Sequence, residues 1–331
     1  MGRMGKMGWI GMGTIGKMGT SAKQASVPCW RRTIFTFFPI RPIRPISPIL
    51  FPILLIFPIL LILPLSSQTR PARVVSLVPA VTEMVFALGA GARVVGVSSF
   101  DEYPPEVATR AKVGGLIDPD VERIFSLRPD LVITYATQSD LRLQLERAGI
   151  PLFLYEHAGL ADITATIRQL GHRLGVSESA SILATDIESS IAGLRKRVAG
   201  SVRPRTLLVF SREGDTMRGI YASGGRGFLH DMLVAAGGDN VFGEIDRQSV
   251  QATTELILAR APEVILEVRT ESMAGDSSER TRRSWNVLSS VPAVRLKRVH
   301  LLPSDEFVIP GPRVAKATRR FAEILHPESF K

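Results

Sequence analysis

From Arg73 onward, short apolar runs rich in valine and isoleucine alternate with amphipathic segments. The runs Val74–Val78, Val94–Val97, Leu131–Tyr135, Leu152–Tyr155, Thr206–Phe210, Val264–Val268 and Val299–Leu302 predict buried strands. Helices are predicted between them at Val81–Leu88, Val121–Leu127, Leu141–Ala148, Gly227–Ala236, Thr254–Ala259 and Arg313–Leu325. Strands alternating with helices need crossover connections, so the pattern predicts an α/β fold with largely parallel sheets.

Two longer helices are expected in the middle. Leu160, Ile163, Ile167, Leu170 and Leu174 keep the three/four spacing of one apolar face, and so do Leu183, Ile187, Ile191, Leu194 and Val198. The second helix is predicted over Glu178–Ala199, with Ser177 as its N-cap and Pro204 barring much continuation. At 1.5 Å per residue it would be a rod of about 33 Å. The expected architecture is two Rossmann-like α/β lobes (71–177 and 203–331) joined by one long helix (178–202), after a leader over 1–70. One continuous sheet with this helix as a crossover is the competing arrangement.

The two halves also repeat one another. Glu122-Arg-Ile124 is followed by Pro129-Asp130-Leu-Val-Ile133, and Glu255-Leu-Ile257 by Pro262-Glu263-Val-Ile-Leu266, at a constant offset of 133 residues. In both, a glutamate opens a short helix and a proline leads into a buried strand. This predicts two related lobes with pseudo-twofold symmetry.

Charge changes the picture only in the leader. The formal charge is +10, from 41 basic and 31 acidic residues. Nine of the basic residues and none of the acidic ones precede residue 71, so the rest carries 32 minus 31, or +1. A polyanion-binding body is thereby disfavoured, and no nucleic-acid partner is expected. The single cysteine, Cys29, lies in the leader, which excludes disulfides, cysteine-ligated metals and a cysteine nucleophile from the body.

The leader begins with Met-Gly-rich low-complexity sequence. It then carries an uncharged, proline-punctuated apolar stretch whose aliphatic core is Ile49–Leu65. Arg31, Arg32, Arg41 and Arg44 precede that core and Ser66-Ser67 follows it, as in an export signal. Pro52, Pro58 and Pro64 weigh against a continuous spanning helix, though a retained anchor is the alternative. Either reading sends the body out of the cytoplasm, with membrane contact through the leader if it is not cleaved.

Enzyme signatures are missing. Gly224-Gly-Arg-Gly227 lacks the lysine and hydroxyl of a phosphate loop, and there is no nucleophile elbow. The five histidines show no metal-ligand spacing. His157 is either a cleft residue or a satisfied loop histidine, His172 a solvated or boundary residue, and His326 a cation closing the last helix. Glu83 reads as a first-turn helix acid. No catalytic residue, resident metal or catalytic cofactor is expected.

The ordered segments Arg73-Val-Val-Ser-Leu-Val-Pro-Ala-Val-Thr-Glu83, Val94-Val-Gly-Val-Ser-Ser-Phe100-Asp-Glu-Tyr103-Pro-Pro105, Lys112-Val-Gly-Gly115, Asp120-Val-Glu122-Arg-Ile and Arg128-Pro-Asp-Leu-Val-Ile133 resemble the cobalamin and iron-complex substrate-binding proteins of ABC importers. Tyr221-Ala-Ser-Gly224, Ala235-Ala-Gly-Gly-Asp-Asn-Val-Phe242 and Pro303-Ser-Asp305 extend the likeness over residues 73–326, nearest to the cobalamin branch. The resemblance implies a monomeric periplasmic binding protein, not an enzyme, with a helical backbone and a ligand cleft between the lobes. Cobalamin would be the transported ligand. One cleft wall would come from Pro79, Ala80, Phe100 and Leu116, the other from Phe210, Tyr221, Ser249 and Asp305. Leu116 and Ser249 stand where cobalamin binders often carry large aromatics, which leaves haem or a ferric siderophore as alternatives. Arg212 and Arg226 would be the cleft arginines of a siderophore site. Glu122 and Glu255 match the pair that docks on permease arginines. A tetrapyrrole- or metal-handling enzyme on a similar scaffold is the competing class.

Overall fold

A computed structural model describes residues 70–214, 216–270 and 278–331. The export-signal or anchor reading falls before Arg70 and so lies outside the described residues. The first lobe holds β1 (Val74–Ser76), α1 (Pro79–Ala87), β2 (Val94–Val97), β3 (Ala111–Lys112), α2 (Val121–Ser126), β4 (Leu131–Tyr135), α3 (Ser139–Arg147) and β5 (Leu152–Tyr155). Its five strands pair in the order β3-β2-β1-β4-β5, all parallel. After α4 (Leu160–Leu174) and α5 (Ser177–Arg197) come β6 (Arg205–Ser211), β7 (Tyr221–Ser223), α6 (Phe228–Ala235), β8 (Asp239–Asn240), β9 (Ser249–Gln251), α7 (Thr254–Arg260), β10 (Val264–Arg269), α8 (Ser278–Ser284), α9 (Pro292–Arg295), β11 (Val299–Pro303) and α10 (Val314–Leu325). The second sheet runs β11-β10-β6-β7-β9, with β8 also paired to β6; β7 is antiparallel to both neighbours. Two separate sheets linked through α5 rule out the single continuous sheet.

The helices between the sheets hold the lobes together. Buried faces of α4 (Ile167, Leu170, Leu174), α5 (Ala184, Ile187, Ile191, Leu194), α6 (Met232, Leu233) and α10 (Phe321, Leu325) join a single apolar core with side chains from both sheets. Each fully buried aliphatic side chain contributes on the order of 1.5–3 kcal/mol. This shared core makes the linker a packed joint rather than a free rod. Helix α4 ends at Gly175 with φ +69°, the left-handed conformation that glycine adopts without penalty. Four residues earlier, a Cβ on Gly171 would lie 2.2 Å from Cβ of Ala180, so its missing side chain lets α4 and α5 touch.

Two local expectations are corrected. Ser177 is not the N-cap of α5: Val176 is, and no side chain caps it, because the chain turns out of Gly175 straight into the helix. Helix α1 begins at Pro79, earlier than the periodicity predicts, since proline fits the first helical position, where no N–H is needed. Glu83 therefore lies beyond the first turn.

The 133-residue repeat extends well past the sequence motif. Asp120 and Thr253 each cap a helix, accepting from the backbone N–H of Arg123 and Leu256. Arg128 and Ala261 both take left-handed backbone, φ +46° and +44°. Asp130 then accepts from the backbone N–H of Arg73, and Glu263 from that of Arg205. Both carboxylates thus strap a helix–strand unit to the first strand of its own lobe.

Candidate ligand site

In open parallel sheets, ligands gather beyond the carboxyl ends of the strands, at the point where strand order reverses. In the first lobe that point lies between β1 and β4. Pro79 is half-buried there, but Ala80 is almost wholly buried in the core, so its side chain offers a ligand no surface. Phe100, after β2, is 52% exposed and Leu116 42%, and Tyr103 and Ile117 are open beside them. Phe100 and Leu116 are held by different means. A Cβ on Gly115 would meet the Phe100 ring at 2.5 Å, so the missing side chain is what lets the ring approach the backbone there. Buried Gln138 donates to the carbonyls of Gly115 and Leu116 at 3.3 and 2.9 Å, while its own carbonyl accepts from the Thr134 hydroxyl.

Beside this wall Tyr135, Tyr155 and His157 form an aromatic cluster. His157 meets Tyr155 edge-on at 5.3 Å and Tyr135 at 5.7 Å. Desolvation lowers the imidazole pKa, which keeps the ring neutral near pH 7, and raises both phenols well above their usual value. Next to Phe100, Asp101 is buried, and neither carboxylate oxygen has a hydrogen-bond partner among the described residues. The neighbouring Thr82 hydroxyl is spent on Ser76 at 2.8 Å, and Lys112 Nζ on the Asp101 backbone carbonyl at 2.7 Å. Burial pushes the Asp101 pKa up to about 7, against weaker pulls from Thr82, Lys112 and the Ser98 backbone, with Glu83 adding repulsion.

The second lobe offers less polar freedom. Tyr221, at the start of β7, is 38% exposed; Phe210 and Ser249 are half-buried, and Asp305 is buried. Arg212 is not a cleft arginine. Its side chain is buried and donates to Glu267, the Thr216 carbonyl, the Ser284 hydroxyl and the Thr281 carbonyl. Glu267 also accepts from Arg269 and from the Trp285 indole, at 2.8 Å each, so this interior network is fully occupied. Arg226 is exposed and paired with Asp246 at 3.1 Å. Gly224 to Arg226 cannot cradle a phosphate, because their backbone N–H groups donate to the carbonyls of Gln248, Ile245 and Arg247.

Elements at the two carboxyl edges meet directly. Arg313, capping α10, donates through Nε and Nη2 to both oxygens of Glu83, at 2.9 and 2.6 Å, and lies 4.2 Å over the Tyr103 ring. This bidentate pair, 230 residues apart in sequence, replaces the helix-acid reading of Glu83. Burial raises the Glu83 pKa, while Arg313 pulls it down. On another side, Asp231 accepts from the Leu160 N–H, and Gln248 donates to the His157 carbonyl. His326 closes the last helix as its C-cap, but its ring is buried, 3.2 Å from the Gly237 carbonyl, while His172 is exposed.

Glu122 and Glu255 are exposed on the first turns of α2 and α7, and neither forms an ion pair among the described residues. Backbone and threonine hydrogen bonds lower the Glu255 pKa, so it is ionised at neutral pH. Among the described residues no group of three or more histidine, cysteine, aspartate or glutamate side chains could hold a metal ion, and no helix is long and apolar enough to cross a membrane.

Residues 74–306 match the family model described as "Periplasmic binding protein". The chain is 30% identical to the ABC transporter substrate-binding lipoprotein YvrC of Bacillus subtilis, over 80% of this chain and 83% of that protein. It is 31% identical to the vitamin B12-binding protein of Salmonella typhimurium, over 76% of this chain and 90% of that one. Among solved structures it resembles the haem-binding protein RhuT of Roseiflexus sp. RS-1 (TM-score 0.66, 27% identity, 78% of this chain and 98% of that one). The fold also matches the periplasmic vitamin B12-binding protein BtuF of Vibrio cholerae (TM-score 0.67, 23% identity, 79% and 99%). The two lobes on a shared helical core and the match across both of them lead to one conclusion: the chain belongs to the periplasmic binding protein family, among the substrate-binding proteins of ABC transporters.

Proposed function

We propose that this protein captures a cobalamin-type corrinoid between its lobes, outside the cytoplasmic membrane, and delivers it to the permease of an ABC importer without chemical turnover. The observation that carries the reading is 31% identity, over nine-tenths of their length, to vitamin B12-binding proteins. The site is compatible with it. A corrin is a broad, mostly apolar disc with an amide fringe, and its site calls for apolar walls with a few polar groups. Phe100 and Leu116 supply one wall and Tyr221 the other, with Pro79, Phe210 and Ser249 half-buried around them. Ala80 and Asp305 shape the walls from beneath. The shared core and the Glu83–Arg313 bridge limit lobe movement, so the site is largely preformed and little ordering cost falls on binding. Glu122 and Glu255 dock the loaded protein on permease cations.

A haem reading is favoured by the Tyr135–Tyr155–His157 cluster and by 27% identity to a haem-binding protein. A siderophore reading loses support, because Arg212 is saturated and Arg226 is paired. Melting curves with cyanocobalamin, haemin and a ferric siderophore separate the three. A rise in Tm with cyanocobalamin at low micromolar concentration is expected; a rise with haemin alone, accompanied by a shifted Soret band, would replace cobalamin with haem.

A further inference from the structure

The pseudo-twofold repeat does more than duplicate a glutamate. One turn after each acid, on the same helix face, stands an exposed apolar side chain: Phe125 after Glu122 and Leu258 after Glu255. These too are 133 residues apart. Phe125 is 38% exposed and Leu258 43%, while the intervening Ile124 and Ile257 are fully buried and fix the helix orientation in each lobe. A single exposed apolar residue is ordinary. The repeat concerns a whole station, with cap (Asp120, Thr253), acid, buried isoleucine, exposed knob and left-handed exit (Arg128, Ala261) at the same spacing. Each helix feeds a parallel strand, so its first turn lies at the carboxyl edge of its sheet, the edge on which the candidate ligand walls stand.

We infer that each lobe docks through a carboxylate and an apolar knob together, and that the partner presents two equivalent stations, each with a cation beside a shallow apolar pocket. This rests on the docking role proposed for Glu122 and Glu255 and names what that role omits. The acids supply steering and register, while the knobs exclude water around the ion pairs, where charge-assisted bonds gain strength.

The test measures binding of the purified chain to its permease–ATPase complex in nanodiscs across a range of ionic strength. Phe125→Ser with Leu258→Ser is expected to weaken binding roughly tenfold or more while the salt dependence stays as in the unaltered protein. Glu122→Gln with Glu255→Gln is expected to weaken it and flatten the salt dependence. The swap Phe125→Leu with Leu258→Phe should retain binding within about threefold, since knobs of either shape remain. Far-UV circular dichroism and melting exclude misfolding, which exposed positions should not cause. If the serine pair binds like the unaltered protein while the glutamine pair fails, the knobs are irrelevant and the inference falls, but docking by the glutamates stands. If both pairs bind normally, the docking reading itself is wrong.

Discussion

The two lobes are alike at the first turns of α2 and α7 and unlike around the candidate ligand walls. At the two stations caps, acids, knobs and left-handed exits recur at one spacing. Around the walls the likeness is lost. The first lobe carries an aromatic cluster and a buried carboxyl, Asp101, with no hydrogen-bond partner among the described residues. The second carries the Arg212–Glu267–Arg269–Trp285 network, in which every carboxylate oxygen of Glu267 is used. Duplication persists where a twice-presented partner would select for it, and diverges where a single, asymmetric ligand would lie.

The largest effect should come from the satisfied edge. Glu267→Leu strands the Arg212 guanidinium in the interior, and breaking a buried pair in this way costs about 3–5 kcal/mol. Urea unfolding should show a loss of that size, and a loss below about 1 kcal/mol would mean that Arg212 escapes to water. The unsatisfied edge should respond in the opposite sense. Burial holds the Asp101 pKa at about 7 in the folded state, against an ordinary 3.8 for an aspartate in water, so the folded state binds more protons between those values. Its contribution is therefore fully present below about pH 4, is lost as pH rises toward 7, and stays lost above it. Asp101→Asn should be stabilised relative to the unaltered protein at pH 8 by on the order of a few kcal/mol, with the difference vanishing near pH 4. Parallel Tm–pH profiles for the two proteins would show that Asp101 is hydrated.

The longer parallel strands β4, β5, β6, β10 and β11 were legible because they are continuous apolar runs. Strands β3, β7, β8 and β9 were not, since two or three residues give no period. The glutamate–isoleucine–proline part of the repeat was legible because it recurs at one spacing within a few residues, whereas its caps and left-handed exits show only in the backbone. The long-range charge pairs were not legible. Nothing near Glu83 announces Arg313, and Arg212 looks like a free cleft cation until Glu267, Thr281 and Ser284 converge on it. Asp101 gave no sign of burial, sitting in a polar loop between Phe100 and Glu102. Long-range satisfaction of charge is what a single sequence conceals.

The matched stations permit a finer comparison. Asp120→Ala and Thr253→Ala each remove one cap bond and should each cost about 1 kcal/mol, as N-cap losses do. Near-equal losses in urea unfolding support structural equivalence of the two stations. A gap above about 1.5 kcal/mol would show that the lobes share a pattern without sharing its energetics.

The central claim is that one corrinoid lodges between the Phe100–Leu116 wall and the Tyr221 wall. The most direct measurement is calorimetric titration of cyanocobalamin into the unaltered protein and into Phe100→Ala with Tyr221→Ala. One site per chain, with affinity falling at least tenfold in the double variant at unchanged Tm, is the predicted result. Binding that is undiminished in the variant, or absent from the unaltered protein, would contradict it.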